Sequence, residues 1–442
     1  MEMAKHILKI VMGLWCIVAP LTSVIGNESP KIKQKTHNEE ITPNLFKGTD
    51  TERIHQAINA AKGTTNLVRI PRQNANGTSI WLLNSAILLP GNMTILLDNC
   101  TLQLSDKCRD NMFRSDNVGE GITNPVWNQN ISIIGVGDVT LKGADNPRAT
   151  GDYLRTLTLD TQKELSKGNW RVSYGSDAGK EGMKQKGDWR NNMIVIAYVK
   201  NFRLENVKIV NSHSWAITFE RTWYAELSGI HFNNPEYMEV DGKKVFTANR
   251  DGIDILFGCK HFQLNNISGM TADDFIALSS LEVFPDLPKT NGDLNSSTVT
   301  AGRWSGIADD TEDIVIKNIN CESIYRGIAI RGSDNAGIHN VYIEGLVFKG
   351  IGQKHEAILL GGKGYGKNSQ KGKINNIYGM NVMADGKSLI VVESPVHNCH
   401  FMNGMLTGSK GEAVIYNIGQ EELKSVTLKN WGMLNEEIPE VK

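Results

Sequence analysis

Two short segments hold the side chains best suited to moving protons: Asn249-Arg250-Asp251-Gly252-Ile253-Asp254 and Thr271-Ala272-Asp273-Asp274-Phe275-Ile276-Ala277-Leu278. If Ile253 and Ile255 face inward on one strand, and Ile276 and Leu278 on the next, then Asp251 and Asp274 take matching positions 23 residues apart. On successive turns of a parallel stack such positions lie about 4.8 Å from each other, with Asp273 beside them. Three crowded carboxylates repel, which raises at least one pKa and sets a proton donor next to a carboxylate that stays ionised. Acid and base in one site is what glycoside hydrolysis requires. Aspartate is also common at bends, and calcium gathers oxygen ligands in the same way. A lone Asp-Gly or Asp-Asp therefore carries little weight, whereas both at one-turn spacing favour a catalytic centre.

The elements that must position these groups announce themselves as a repeat. An apolar-x-apolar-x-Asn/Gly-apolar unit occurs at Phe202-Arg203-Leu204-Glu205-Asn206-Val207, at Ala225–Ile230 and at Phe262–Ile267. It recurs around Ile316, Ile343, Ile374, Met402 and Leu428. Successive spacings fall mostly between 23 and 37 residues, the size of one solenoid coil, and a gap of 52 between Leu264 and Ile316 is read as two coils. The expected fold is all-β, a single right-handed parallel β-helix whose coils bury their apolar sides against one another. The recurrent Asn is expected to face inward and bond backbone at the bends. Before the first coil, Thr49-Asp50-Thr51-Glu52 reads as a helix start, followed by Ile54, Ala57, Ile58 and Ala61 at helical spacing. A short N-terminal capping helix is the expectation.

Composition agrees with a turn-rich globular protein: 442 residues, 40% hydrophobic, with 43 Gly against 12 Pro. Lys plus Arg number 47 and Asp plus Glu 48, a net charge of -1, which supplies no general field for nucleic acid or anionic lipid. Lys5, His6 and Lys9 precede an apolar stretch from Ile10 to Ile25, the layout of a signal peptide over 1–26. Export to the periplasm or the outside is expected, followed by a flexible leader over 27–44 and the β-helix from 45 to 442. No membrane span is expected, because no segment reaches the roughly 20 apolar residues a span requires. Beyond the signal, Cys100, Cys108, Cys259, Cys321 and Cys399 are odd in number and scattered. A Cys100–Cys108 bridge is conceivable, but as a set they read as buried thiols, not as a disulfide framework. No Cys-x-x-Cys or His-Glu-x-x-His occurs, so neither a zinc site nor a cofactor is expected. Interruptions of the repeat near 150–191, 233–248 and 284–304 are expected to emerge as loops walling a groove.

Asn-Arg-Asp-Gly-Ile-Asp followed by an Asp-Asp-x-Ile-Ala segment resembles the N-x-D and D-D motifs of the polygalacturonase-like glycoside hydrolases. The likeness extends from about residue 45, where Asp50–Ile58 and Val68-Arg69-Ile70-Pro71 resemble the capping helix and first strand of that fold, to Trp431. It implies a parallel β-helix enzyme that inverts configuration with a water nucleophile, acting on a pectin-like or other acidic polysaccharide as a monomer. Carried over by residue, it implies Asp251, Asp273 and Asp274 as catalytic carboxylates, with Asp274 the general acid. It also implies substrate contacts from Asn249 and from the segment holding His213 and Trp215. The G-H-G of that family finds its best match in Trp304-Ser305-Gly306-Ile307, without the His. Its carboxylate-gripping R-I-K finds Ala329-Ile330-Arg331. Extending the strand-start alignment adds Arg326 and Glu356, and Trp215 on the other side, as a polar sugar subsite with an aromatic platform. Two rivals share the fold: a lyase using Arg326 or Arg331 as base, and a non-catalytic glycan-binding β-helix.

Overall fold

In the computed structural model, residues 40–434 are described apart from 109, 146–153, 157–183, 187, 241, 248, 282–295, 301–305, 363–372, 409–410 and 420–425. The 1–26 segment and the leader up to residue 39 lie outside the described residues. From Glu40 onward the chain forms one compact unit.

The N-terminal expectation holds in detail. The helix Asp50–Ala61 opens on a reciprocal cap in which the Glu52 N–H donates to Thr49 Oγ1 (3.3 Å) and the Thr49 N–H donates to the Glu52 carboxylate (2.8 Å). It buries Ile54, Ala57, Ile58 and Ala61, the four residues at helical spacing. Its apolar face caps the open end of the solenoid against the first strands, which would otherwise expose core.

Beyond it, coils stack in a parallel β-helix. One face is a 10-stranded parallel sheet running from Ile87–Leu89 to Glu412–Tyr416, and the rest of each coil belongs to a second sheet of long strands. In the 10-stranded sheet the inward residues form columns: Ile217, Ile253, Ile276, Ile328, Ile358 and Ile390 lie in register and are all fully buried. Both sides of these short strands are covered, so their sequences are near-continuous apolar runs with the occasional polar residue on the outer face.

The long strands turn twice per coil at residues of positive φ. One column of bends holds Asn201, Tyr224, His261, Asp313, Asn340, Asn376 and Asn398, and the other Asn206, Gly229, Asn266, Asn318, Gly345, Asn381, Asn403 and Asn430. Asparagine tolerates this left-handed geometry better than other side chains, which explains its recurrence. The repeat unit therefore needs two corrections. Asn376 belongs to the first column and Asn381 is the true counterpart of Asn206. The Asn side chains also do not point inward to backbone: they stack on one another at the bends, as in Asn340 to Asn376 (2.9 Å) and Asn403 to Asn430 (3.2 Å). The 52-residue gap is corrected too, since Leu264 pairs directly with Ile316. It is a single coil with a long excursion.

All five described cysteines are buried free thiols. Among the described residues no helix is long and apolar enough to cross a membrane.

Candidate active site

The strand register places Trp215, Asp251, Asp274, Arg326 and Glu356 at one position of five successive rungs, just ahead of the inward isoleucines. Backbone hydrogen bonds fix the alignment: the Ala216 N–H donates to the Asp251 carbonyl (3.0 Å) and the Gly252 N–H to the Asp274 carbonyl (3.0 Å). Glycine follows Asp251 for a steric reason, because a Cβ at Gly252 would lie 2.4 Å from the Phe275 carbonyl oxygen.

Asp251, Asp273 and Asp274 come together so closely that one oxygen from each lies within 4.8 Å of the others. Asp251 and Asp274 are buried, while Asp273 is partly exposed and faces the opening. The three do not share one electrostatic environment. Asp274 is gripped by Arg331 in a buried ion pair, and Arg326 adds contacts to the same carboxylate from its backbone N–H (3.2 Å) and its guanidinium (3.3 Å). Burial pushes Asp274 up, but the two arginines outweigh it and hold the carboxyl below the usual range. Asp273 has no such partner, so burial and the Asp274 charge raise it to about 8 despite the hydrogen bond its carboxylate accepts from the Asp274 N–H (2.9 Å). Asp251 is pushed well up by burial, then by Asp273, Asp254 and Asp274. Near neutral pH the arrangement is one anion clamped by two cations beside the Asp273 carboxyl, which holds a proton. Asp274, the residue expected to be the acid, is thus the one kept ionised.

Arg326 also donates from Nε to Glu356 (2.9 Å), spanning the rungs on either side of its own. Beside this column runs a second one, Asp273, Tyr325 and His355, set by the same register. Tyr325 and His355 stack with centroids 4.6 Å apart and planes 25° from parallel. Burial and the charge of Arg326 push His355 down to about 4, so its ring is neutral at ordinary pH. Sequence reading missed this pair: its only signal was a Tyr and a His each one residue before the Arg and Glu of the recognised column.

The register also revises two motif matches. The rung after Asp273-Asp274 carries Tyr325-Arg326-Gly327, so Arg326 occupies the place expected for a His, while Trp304 and Ser305 lie outside the described residues. Arg331 stands on that same rung, is nearly inaccessible, and spends its guanidinium on Asp274 and Ser279 (3.3 Å). His213 is buried and bonds the Ala144 carbonyl (3.1 Å), away from the carboxylates. Asn249 sits buried in a left-handed bend (φ 53°) just before Asp251.

Of the expected walls, 233–248 forms a hairpin of Tyr237–Val240 against Lys243–Phe246, onto which Arg250 packs through the Pro235 carbonyl (2.7 Å). Most of the other two lies outside the described residues, but the described ends meet: the Trp189 N–H donates to the Ser296 carbonyl (2.8 Å) and Asn192 Nδ2 to the Ser297 carbonyl (3.2 Å). Trp170 and Tyr174, which with Trp189 are aromatic residues of the 150–191 interruption, lie outside the described residues.

A parallel β-helix with three aspartates gathered on its 10-stranded sheet defines the class of molecule. Residues 157–293, which span all three aspartates, match the model of glycosyl hydrolases family 28, supporting a glycoside hydrolase. Over the whole fold the chain is similar to a polygalacturonase from Erwinia carotovora, with TM-score 0.54, 17% identity, and coverage of 94% of this chain and 96% of that one. It is also similar to a tailspike protein of an E. coli bacteriophage, in complex with a hexasaccharide, with TM-score 0.53, 9% identity, and coverage of 84% of this chain and 57% of that one. At these identities the likeness is one of fold. No curated protein matches the sequence.

Proposed function

We propose that this chain is an exported glycoside hydrolase that cuts a pectin-like polysaccharide with inversion, using Asp273 as general acid and Asp274 as the ionised partner that activates water. The observation that carries this reading is the double arginine clamp on Asp274. A carboxylate held by Arg331 and Arg326 stays ionised and is a poor proton donor. Asp273, protonated up to about 8 and the most accessible of the three, is placed to protonate a leaving oxygen. Asp251 completes the water site. Export rests on the charged and apolar N-terminal segment alone.

The three carboxylates lie closer together than the roughly 6.5–9.5 Å usual for inverting pairs. Inversion is nevertheless favoured, because Asp274 is buried behind its arginines and so unsuited to attack a sugar carbon directly. The anomer released in the first minutes, read by proton NMR, tests this: the inverted anomer is expected, and the retained one refutes the water mechanism. The lyase reading loses its base, since Arg326 and Arg331 are both paired with carboxylates. Products without an absorbing double bond are expected. The same pairing removes Arg331 as a reader of substrate carboxylate.

A further inference from the structure

The geometry points to an active-site groove that is blind on its N-terminal side, so that the chain removes short units from the ends of its substrate and does not cut in the interior. This rests on the hydrolase reading above.

The argument follows the outer face of the 10-stranded sheet rung by rung. On the Asp273-Asp274 rung and the next, Asp273, Tyr325 and Arg326 remain partly exposed. One rung before Asp251, Trp215 is partly exposed, but the outward Thr218 and Glu220 are fully buried. Two rungs before Asp251, on Ile194–Ala197, the groove is filled: the outward Val195 and Ala197 pack with Val118, Trp189 and Val299 in an apolar cluster separate from the solenoid core. Asn192, which takes the Asp251 position on that rung, is also buried.

The plug is anchored, not merely draped. Glu220 accepts from the backbone N–H groups of Val299 (2.7 Å) and Thr300 (2.8 Å) and from the Thr300 hydroxyl, fixing that segment against the sheet. Below it, the buried Asn111 donates to the carbonyls of Trp189 (2.9 Å) and Asn192 (2.7 Å). Arg221 ties Asp309 from the same side through Nε (2.7 Å) and donates to the Thr300 hydroxyl (2.7 Å). Lifting the plug would break these bonds and strand the buried Glu220 carboxylate, the Asn111 amide and the Arg221 guanidinium without these partners. A polymer lying along the sheet therefore stops about two rung spacings, roughly 10 Å, from the aspartates. That leaves room for about one or two sugar rings on that side.

The test uses the full chain on a panel of pectic and neutral plant polysaccharides and on pectic oligosaccharides tagged at the reducing end. Products are sized by chromatography below about 1% conversion, with viscosity followed in parallel. Mono- and disaccharides alone, from the earliest samples and with viscosity nearly unchanged, are the expected result. An early ladder of intermediate oligomers with a rapid fall in viscosity overturns the blind groove while leaving the hydrolase reading standing. Release of no sugar from any member of the panel overturns the hydrolase reading, and this inference with it. A Val299→Gly variant that gains intermediate oligomers while losing the short products supports the plug as the cause. The same variant with an unchanged product profile and an unchanged melting temperature counts against it.

Discussion

Replacing Arg331 with Met tests the clamp on which the site's electrostatics depend. The side chain keeps its length and apolar stem but loses its charge, which leaves Asp274 buried with only the Arg326 contacts, from its backbone N–H (3.2 Å) and its guanidinium (3.3 Å). Breaking one side of a buried ion pair costs about 3–5 kcal/mol. At about 2 cal/mol/K of unfolding entropy per residue over roughly 400 residues, that corresponds to a drop of about 4–6 °C in melting temperature. The pH dependence has a defined sign. Asp274 titrates lower when folded than unfolded, so its pairing stabilises above the ordinary carboxylate range and that stabilisation is lost as pH falls through the folded value. The deficit of the variant is therefore largest at neutral pH and shrinks on acidification. Thermal melts of wild type, Arg331→Met, Asp274→Asn and the double variant complete the cycle. The double variant, with no stranded charge, is expected to recover much of the loss. A single-variant drop below about 1 °C, or no recovery in the double variant, refutes the clamp.

Two further outcomes follow from the same geometry. Truncating the aromatic shelf with Tyr325→Ala is expected to raise KM about five- to thirtyfold, or about 1–2 kcal/mol, with a smaller change in kcat, while Tyr325→Phe stays near wild type; steady-state kinetics on the best substrate decides it. Chelation is expected to leave turnover unchanged, because Asp274 is already neutralised by two arginines while Asp273 holds a proton. Activity lost in chelator and restored by calcium alone contradicts the acid–base account.

What the sequence disclosed and what it concealed divide along physical lines. The column of Trp215, Asp251, Asp274, Arg326 and Glu356 was legible because alternating apolar residues set strand register, and register carries every outward residue with it. The phase around Asn376 was misread because each coil bends twice at left-handed positions, and asparagine suits both. The excursion between Leu264 and Ile316 was misread because its length equals two coils. The division of labour among the aspartates was hidden for another reason. It depends on a long arginine, Arg331, reaching from its own rung back to Asp274, and strand periodicity says nothing about where such a side chain ends. The plug was hidden too, since Trp189 and Val299 are far apart in sequence and meet only across the sheet.

The central claim is that Asp273, not Asp274, delivers the proton. The most direct measurement is the kinetics of Asp273→Asn with two leaving groups, the natural sugar and a nitrophenyl group that departs without protonation, across pH 4–9. The account predicts a loss of about a hundredfold or more on the natural bond and far less on the nitrophenyl glycoside. The wild-type rate should fall as pH rises through about 8, and that limb should be absent from the variant on the nitrophenyl substrate. The variant should also melt higher than wild type near pH 8, because between the ordinary carboxylate range and about 8 the folded wild type holds a proton that the unfolded chain has released, and its stability falls across that window. Natural-bond activity within a few-fold of wild type, or an equal loss with both leaving groups, contradicts the assignment of Asp273 as the acid.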